Sequence, residues 1–144
     1  MNKKVDCVVV TYNRLSLLKE CLEALLNQEY PLNKIFVINN NSTDETASYL
    51  SRLSEKYPTI VAVNLDKNVG GAGGFNVGLK FFMKKSDADY AWIMDDDTIP
   101  SKSALSNLMN KIFNISNLGF LCSNVRWKDN TSARMNVPQA EEDW

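Results

Sequence analysis

Short apolar runs recur along this chain at strand length, and a helical period follows each of the first three. Val5 to Thr11, Lys34 to Ile38, Ile60 to Asn64 and Tyr90 to Met94 are rich in β-branched and aromatic residues and are separated by polar or turn-forming segments, the pattern of strands. Between them, Leu15, Leu18, Leu22, Leu25 and Leu26, then Ala47, Leu50, Leu53 and Tyr57, then Phe75, Leu79, Phe82 and Met83 repeat at helical spacing. A fourth helix is expected over residues 101–113, with Ala104, Leu105, Leu108, Met109 and Ile112 apolar, and a fifth strand over Phe120 to Cys122. Such alternation leaves few folds open. Strands joined through helices run parallel, by right-handed crossovers, with helices on the faces of the sheet. The expected class is therefore α/β, a mostly parallel sheet flanked by helices. Val5 to Thr11 is almost continuously apolar and reads as a central strand. Tyr90 to Met94 also reads as buried.

In such sheets the segments that follow the strands gather at one edge, where ligands bind. Four of these segments carry chemistry. After the first strand come Thr11, Tyr12, Asn13 and Arg14; after the second, Asn39, Asn40 and Asn41; after the third, a glycine-rich stretch from Asp66 to Gly74; after the fourth, Asp95, Asp96 and Asp97. Three adjacent carboxylates are too costly to desolvate in a core, so they are expected at the mouth of the sheet. Clustered carboxylate oxygens suit Mg²⁺ or Mn²⁺, which bind protein carboxylates together with substrate phosphates. The plain alternative is an acidic turn capping the next helix. Ser42 and Glu45 match a capping box at the start of the second helix, and the asparagines before them could equally be turn residues. Four glycines in five residues exceed what a turn needs and suggest close approach of a ligand or of backbone. The glycine stretch is not a P-loop, because no Gly-Lys-Ser/Thr follows, and it stands after the wrong strand for a dinucleotide fingerprint. The combination describes a pocket for a nucleotide diphosphate.

Composition narrows the classes further. A net charge of −1 over 144 residues argues against a general nucleic-acid binder. There is no histidine, which removes Ser-His and Cys-His nucleophilic pairs and histidine metal sites. Cys7, Cys21 and Cys122 form no C-x-x-C pair; Cys7 and Cys21 fall among apolar residues and read as packing thiols in a reducing compartment.

The motifs resemble those of family 2 glycosyltransferases of the GT-A fold, in unbroken order from about Lys4 to Leu108. They are Val9-Val10-Thr11-Tyr12-Asn13-Arg14, Asn39 to Asp44, Asn68 to Gly78, and Trp92 to Asp97. The glycine segment together with the triple aspartate is most similar to the galactofuranosyl- and rhamnosyltransferase-like branch. The resemblance implies a Rossmann-like nucleotide-sugar-binding domain over residues 1–124. Residues 125–144 would then begin an acceptor-side region cut short, as in a fragment or truncated gene product. It implies transfer of a sugar from a nucleotide diphosphate, UDP-linked, to a glycan or lipid-linked glycan acceptor, with inversion and with Mn²⁺ or Mg²⁺ as cofactor. Thr11, Tyr12 and Arg14 would line the nucleotide. Asn40 would stand where many relatives place an aspartate that reads uracil. Asn68, Gly71 and Asn76 would frame the nucleotide sugar. Asp95 would face ribose and metal, with Asp96 beside it, and Asp97 would be the direct metal ligand of a D-x-D motif. No general base is identifiable; Glu141, Glu142 and Asp143 come too early to match the family's base. A cytoplasmic protein at the inner face of the membrane, associated with it peripherally, and a homo-oligomer are compatible with the resemblance. The alternatives are a non-catalytic nucleotide-binding fragment, or another nucleotide-sugar enzyme such as a nucleotidyltransferase.

Overall fold

The computed structural model describes residues 3–116 and 118–133. The chain divides into two compact units, Met1–Ser103 and Ala104–Trp144. In the first unit the order is β1 (Val5–Thr11), α1 (Leu15–Leu26), β2 (Lys34–Asn39), α2 (Thr46–Lys56), β3 (Ile60–Asn64), α3 (Gly70–Lys85) and β4 (Tyr90–Asp95). The strands form one parallel sheet in the order β3-β2-β1-β4, as the alternation predicts.

The side-chain period of two along β1 divides the core between the sheet's faces. Cys7 and Val9 point into a cluster with Leu18, Cys21, Leu22 and Leu25 of α1 and Leu50 of α2. Val8 and Val10 point the other way, into a cluster with Phe36 and Ile38 that Phe75, Val77, Phe81 and Phe82 of α3 cover. Both Cys7 and Cys21 are fully buried. Burial raises both thiols, Cys21 to about 12, with Asp96 and Asp97 adding to the effect there; they pack as small apolar groups.

Four local expectations are corrected. β4 is not a buried strand: it lies at the sheet edge, and Ile93 is 51% exposed. The glycine segment is not a loop through Gly74, because α3 begins at Gly70. Helical glycines are tolerated here because α3 lies almost on the sheet. A Cβ on Gly74 would stand 2.6 Å from Val10 Cγ1, and one on Gly78 would stand 2.3 Å from Val8 Cγ1. Ser42 does not cap α2. Its hydroxyl accepts from the Asn13 N–H at 3.0 Å, while Asp44 accepts from the Thr46 N–H at 3.0 Å and α2 starts at Thr46. A contact between loops has displaced the local capping box. Finally, Phe120 to Cys122 forms no strand; among the described residues no strand pairs with it, and Phe120 is exposed.

At the edge opposite the candidate site, buried Asp6 ties two connections together. One oxygen accepts from Asn33 Nδ2 at 2.8 Å and from the Lys34 N–H at 2.9 Å, and the other accepts from the Ser86 hydroxyl. Asp6→Ala strands all three donors and is expected to cost about 3 kcal/mol, read as a lowered urea midpoint. An unchanged midpoint would refute this role.

The second unit contains α4 (Ala104–Asn114), with Leu105 and Met109 buried. The start at Ala104 is later than the expected Ser101. A tight antiparallel bridge pairs Arg126 with Ser132. Among the described residues no helix is long and apolar enough to cross a membrane. Glu141, Glu142 and Asp143 lie outside the described residues.

Candidate nucleotide-sugar site

The parallel register sets the C-terminal ends of the four strands side by side. Val10 pairs with Asp95, Thr11 with Asn39, and Asn39 with Asn64. The segments expected to carry chemistry therefore converge on one edge, and their side chains bond across it.

The three aspartates separate where β4 ends at Asp95 and the chain turns, with the Thr98 N–H donating to Asp95 O at 3.2 Å. Asp95 and Asp97 face solvent, and Asp96 turns inward with 3% exposure. Asp96 accepts from the Thr11 hydroxyl at 2.7 Å and from Arg14 Nη1 at 3.3 Å. Its burial is thereby compensated by one neutral and one charged partner. The same Arg14 nitrogen lies 3.2 Å from Asp97 Oδ2. Thr11 and Asp96, both expected against the nucleotide, are buried, and Asp96, bonded to Thr11, holds Arg14 at the rim.

Burial raises the Asp95 carboxyl above its ordinary value, and the charges of Asp97 and Asp96 raise it further, while Arg14 opposes them. A carboxyl raised by folding stabilises the folded state while protonated. That contribution is complete below the unfolded value and is lost as pH rises through the folded one. At neutral pH the metal-free mouth therefore works against stability. Asp95→Asn is expected to raise the melting temperature by about 1–3 °C at pH 7, a modest figure because the group is screened by solvent. Near pH 3 the gain should vanish. An equal gain at both pH values would contradict the electrostatic cause.

A divalent cation fits this arrangement. Asp95 and Asp97 present hard oxygens from alternate positions, and their mutual repulsion is what a cation would relieve. Among the described residues no three His, Cys, Asp or Glu side chains form a complete metal cage. Mg²⁺-type sites use one or two carboxylates and draw the remaining ligands from phosphate and water, so two suffice.

The other two loops are stitched together by amides. Asn13 adopts φ 52 and Asn41 φ 63, left-handed values that asparagine tolerates better than most residues. Asn13 Oδ1 accepts from the Thr43 N–H at 2.7 Å, which joins the segment after β1 to that after β2. Asn39 Nδ2 donates to Asn64 Oδ1 at 2.8 Å, and its Oδ1 accepts from the Ser42 N–H. Sequence reasoning gave no specific role to Asn13 or Asn39; the signal was polar amides directly after apolar strands. Asn40 is buried and bonded to the segment that opens α3. Asn68 and Gly71 are exposed at that opening, Asn76 is exposed in the second turn of α3, and Tyr12 is exposed beside Asn13. Gly70 has φ +74. A Cβ on Gly71 would meet nothing within 4 Å. No internal contact explains that glycine.

A four-stranded parallel sheet with an outward-facing Asp-x-Asp pair and a glycine-led helix at its C-terminal edge is the GT-A class of nucleotide-sugar domain. The chain belongs to glycosyl transferase family 2, whose family model matches residues 6–142. Among curated relatives it is 28% identical over 125 residues to a probable glycosyltransferase, YdaM, of Bacillus subtilis, covering 85% of this chain and 30% of the relative. It is 29% identical over 110 residues to a poly(ribitol-phosphate) beta-glucosyltransferase of Bacillus spizizenii, covering 74% of this chain and 17% of that one. The chain thus spans less than a third of the length of either. Among solved structures, the mannosyltransferase PcManGT of Pyrobaculum calidifontis, in complex with GDP-Man and Mn²⁺, aligns with a TM-score of 0.72 and 25% identity, covering 88% of this chain and 36% of that one. TarS 1–349 of S. aureus in complex with UDP-GlcNAc shares the fold, with a TM-score of 0.66, 23% identity and coverage of 84% and 38%.

Proposed function

We propose that this chain forms the donor-binding part of a glycosyltransferase that moves a sugar from a nucleotide diphosphate, UDP-linked, to a glycan or lipid-linked glycan acceptor, with inversion. The observation that carries this reading is the outward pair Asp95 and Asp97 flanking the inward Asp96 at the mouth of the sheet. Asp95 and Asp97 would hold Mn²⁺ or Mg²⁺, which supplies a positive charge against the leaving diphosphate. Arg14, held by Asp96 and half exposed, offers its remaining N–H groups to phosphate oxygens. Tyr12 presents an exposed ring to the base. The open surface at Gly71 admits the sugar diphosphate close to backbone. Asn68 and Asn76 offer amides to sugar hydroxyls. The glycine segment with the triple aspartate favours the galactofuranosyl- and rhamnosyltransferase-like branch, and action at the inner face of a membrane follows from a lipid-linked acceptor. The GDP-Man and Mn²⁺ bound by the mannosyltransferase support a metal-assisted nucleotide sugar as ligand and make GDP the nucleotide to compare.

Calorimetric titration of UDP and of GDP, each with Mn²⁺ and with excess chelator, tests the proposal. Binding of UDP that requires the metal supports it. Failure of both nucleotides to bind in either condition would refute a self-sufficient donor site. Turnover of a UDP-sugar then separates transferase from binding module.

A further inference from the structure

Asn40 spends its whole side-chain amide inside the protein. Nδ2 donates to Asn68 Oδ1 at 2.9 Å and to Gly70 O at 3.1 Å, and Oδ1 accepts from the Val69 N–H at 2.9 Å. Its own backbone N–H donates to Thr11 O at 2.9 Å, and the residue is 2% exposed. Both amide hydrogens are therefore used, and the carbonyl oxygen is engaged and covered. Reading a base requires a donor or acceptor turned toward it, and Asn40 has none to offer. Its three partners are consecutive residues, and they form the turn that opens α3.

We infer that Asn40 is a positioning residue, a latch that holds Asn68, Val69 and Gly70 in place, and that base preference is not set at this position. This rests on the donor-site reading only in making that turn part of the ligand site. An aspartate at position 40 could still accept from the Val69 N–H, but an ionised carboxylate has no hydrogen to give to Asn68 Oδ1 and Gly70 O, and its charge would stand against those two oxygens and push the turn open. Asn68 is different. Its bonds to the latch use only the acceptor Oδ1, toward Asn40 Nδ2 and toward the Gly70 N–H at 2.8 Å. An aspartate there keeps both bonds. The two asparagines thus differ in what an isosteric change does to them.

The test uses the full chain with Asn40→Asp and Asn68→Asp, and two readouts. Amide hydrogen exchange at Val69 and Gly70 should quicken by about tenfold or more in Asn40→Asp and stay within about threefold of the parent in Asn68→Asp, because only the first opens the turn. Affinities for UDP, GDP, CDP and ADP with Mn²⁺ should fall together in Asn40→Asp, by about tenfold each, with their order unchanged. A selective change for one base, or unaltered exchange at Val69 in Asn40→Asp, would overturn the latch. If the parent chain binds no nucleotide, the donor-site reading fails, while the exchange measurement still decides whether Asn40 latches the turn.

Discussion

Asp97→Asn is expected to lower metal-dependent UDP affinity by at least about 100-fold, roughly 2.7 kcal/mol, while leaving the fold as stable as before. Asp97 is 53% exposed, and its described bond is a single contact with a half-exposed Arg14. Exposed pairs of this kind contribute about 0–1 kcal/mol. The isosteric amide keeps the size of the side chain and removes the charge that a cation needs. Asp96→Asn should behave in the opposite way. It weakens bonds at a buried position that hold Thr11 and Arg14, so its first effect should be a lower urea midpoint, with weaker binding following from a released Arg14. Calorimetry and urea unfolding on both variants separate these outcomes. Metal-dependent UDP binding that survives Asp97→Asn unchanged would sink the assignment of that carboxylate.

Gly78→Val is expected to cost about 3 kcal/mol or more, and Gly78→Ala about 1–3 kcal/mol. Alanine normally gains about 1 kcal/mol over glycine inside a helix. That gain is outweighed here, because the new Cβ would stand 2.3 Å from Val8 Cγ1 and 3.2 Å from Ile38 Cγ1. Both neighbours lie in strands at the centre of the sheet, where neither can retreat without disturbing the core. Gly71→Ala supplies the contrast. The position is open, so stability should rise by up to about 1 kcal/mol, and under the proposed function donor binding should weaken. Urea midpoints for the three variants check the stabilities. A Gly78→Ala chain as stable as the parent would mean that α3 is not seated on Val8.

The contrast between these glycines shows why part of the candidate site was legible in the chain and part was not. The density of glycine between Gly70 and Gly78 announced close approach, but it did not say to what. Gly74 and Gly78 approach the sheet, whereas Gly70 and Gly71 are left open, Gly70 with a positive φ that accounts for it and Gly71 with none. The same holds for the aspartates. Their place after an apolar run marked the mouth of a sheet, because three carboxylates cannot be buried there. That the middle one is nonetheless buried depends on Thr11, 85 residues away. Ser42 and Glu45 matched a local cap, yet the bond from Asn13 prevailed. A pattern read within a few residues cannot anticipate a competitor that arrives from another loop.

The alternation of short apolar strands with helical periods was sufficient to determine a parallel α/β sheet and the edge at which its chemistry gathers. Strand and helix periods are local, and burial of their apolar faces leaves few ways to layer them. Strand order was decided by the tertiary structure, and with it the exposure of β4 at an edge. So were the inward turn of Asp96 and the closure of Asn40 upon Asn68, Val69 and Gly70. These follow from register and from hydrogen bonds between residues 28 to 85 positions apart. Such bonds form only where the folded backbone excludes water and leaves a buried polar atom one available partner.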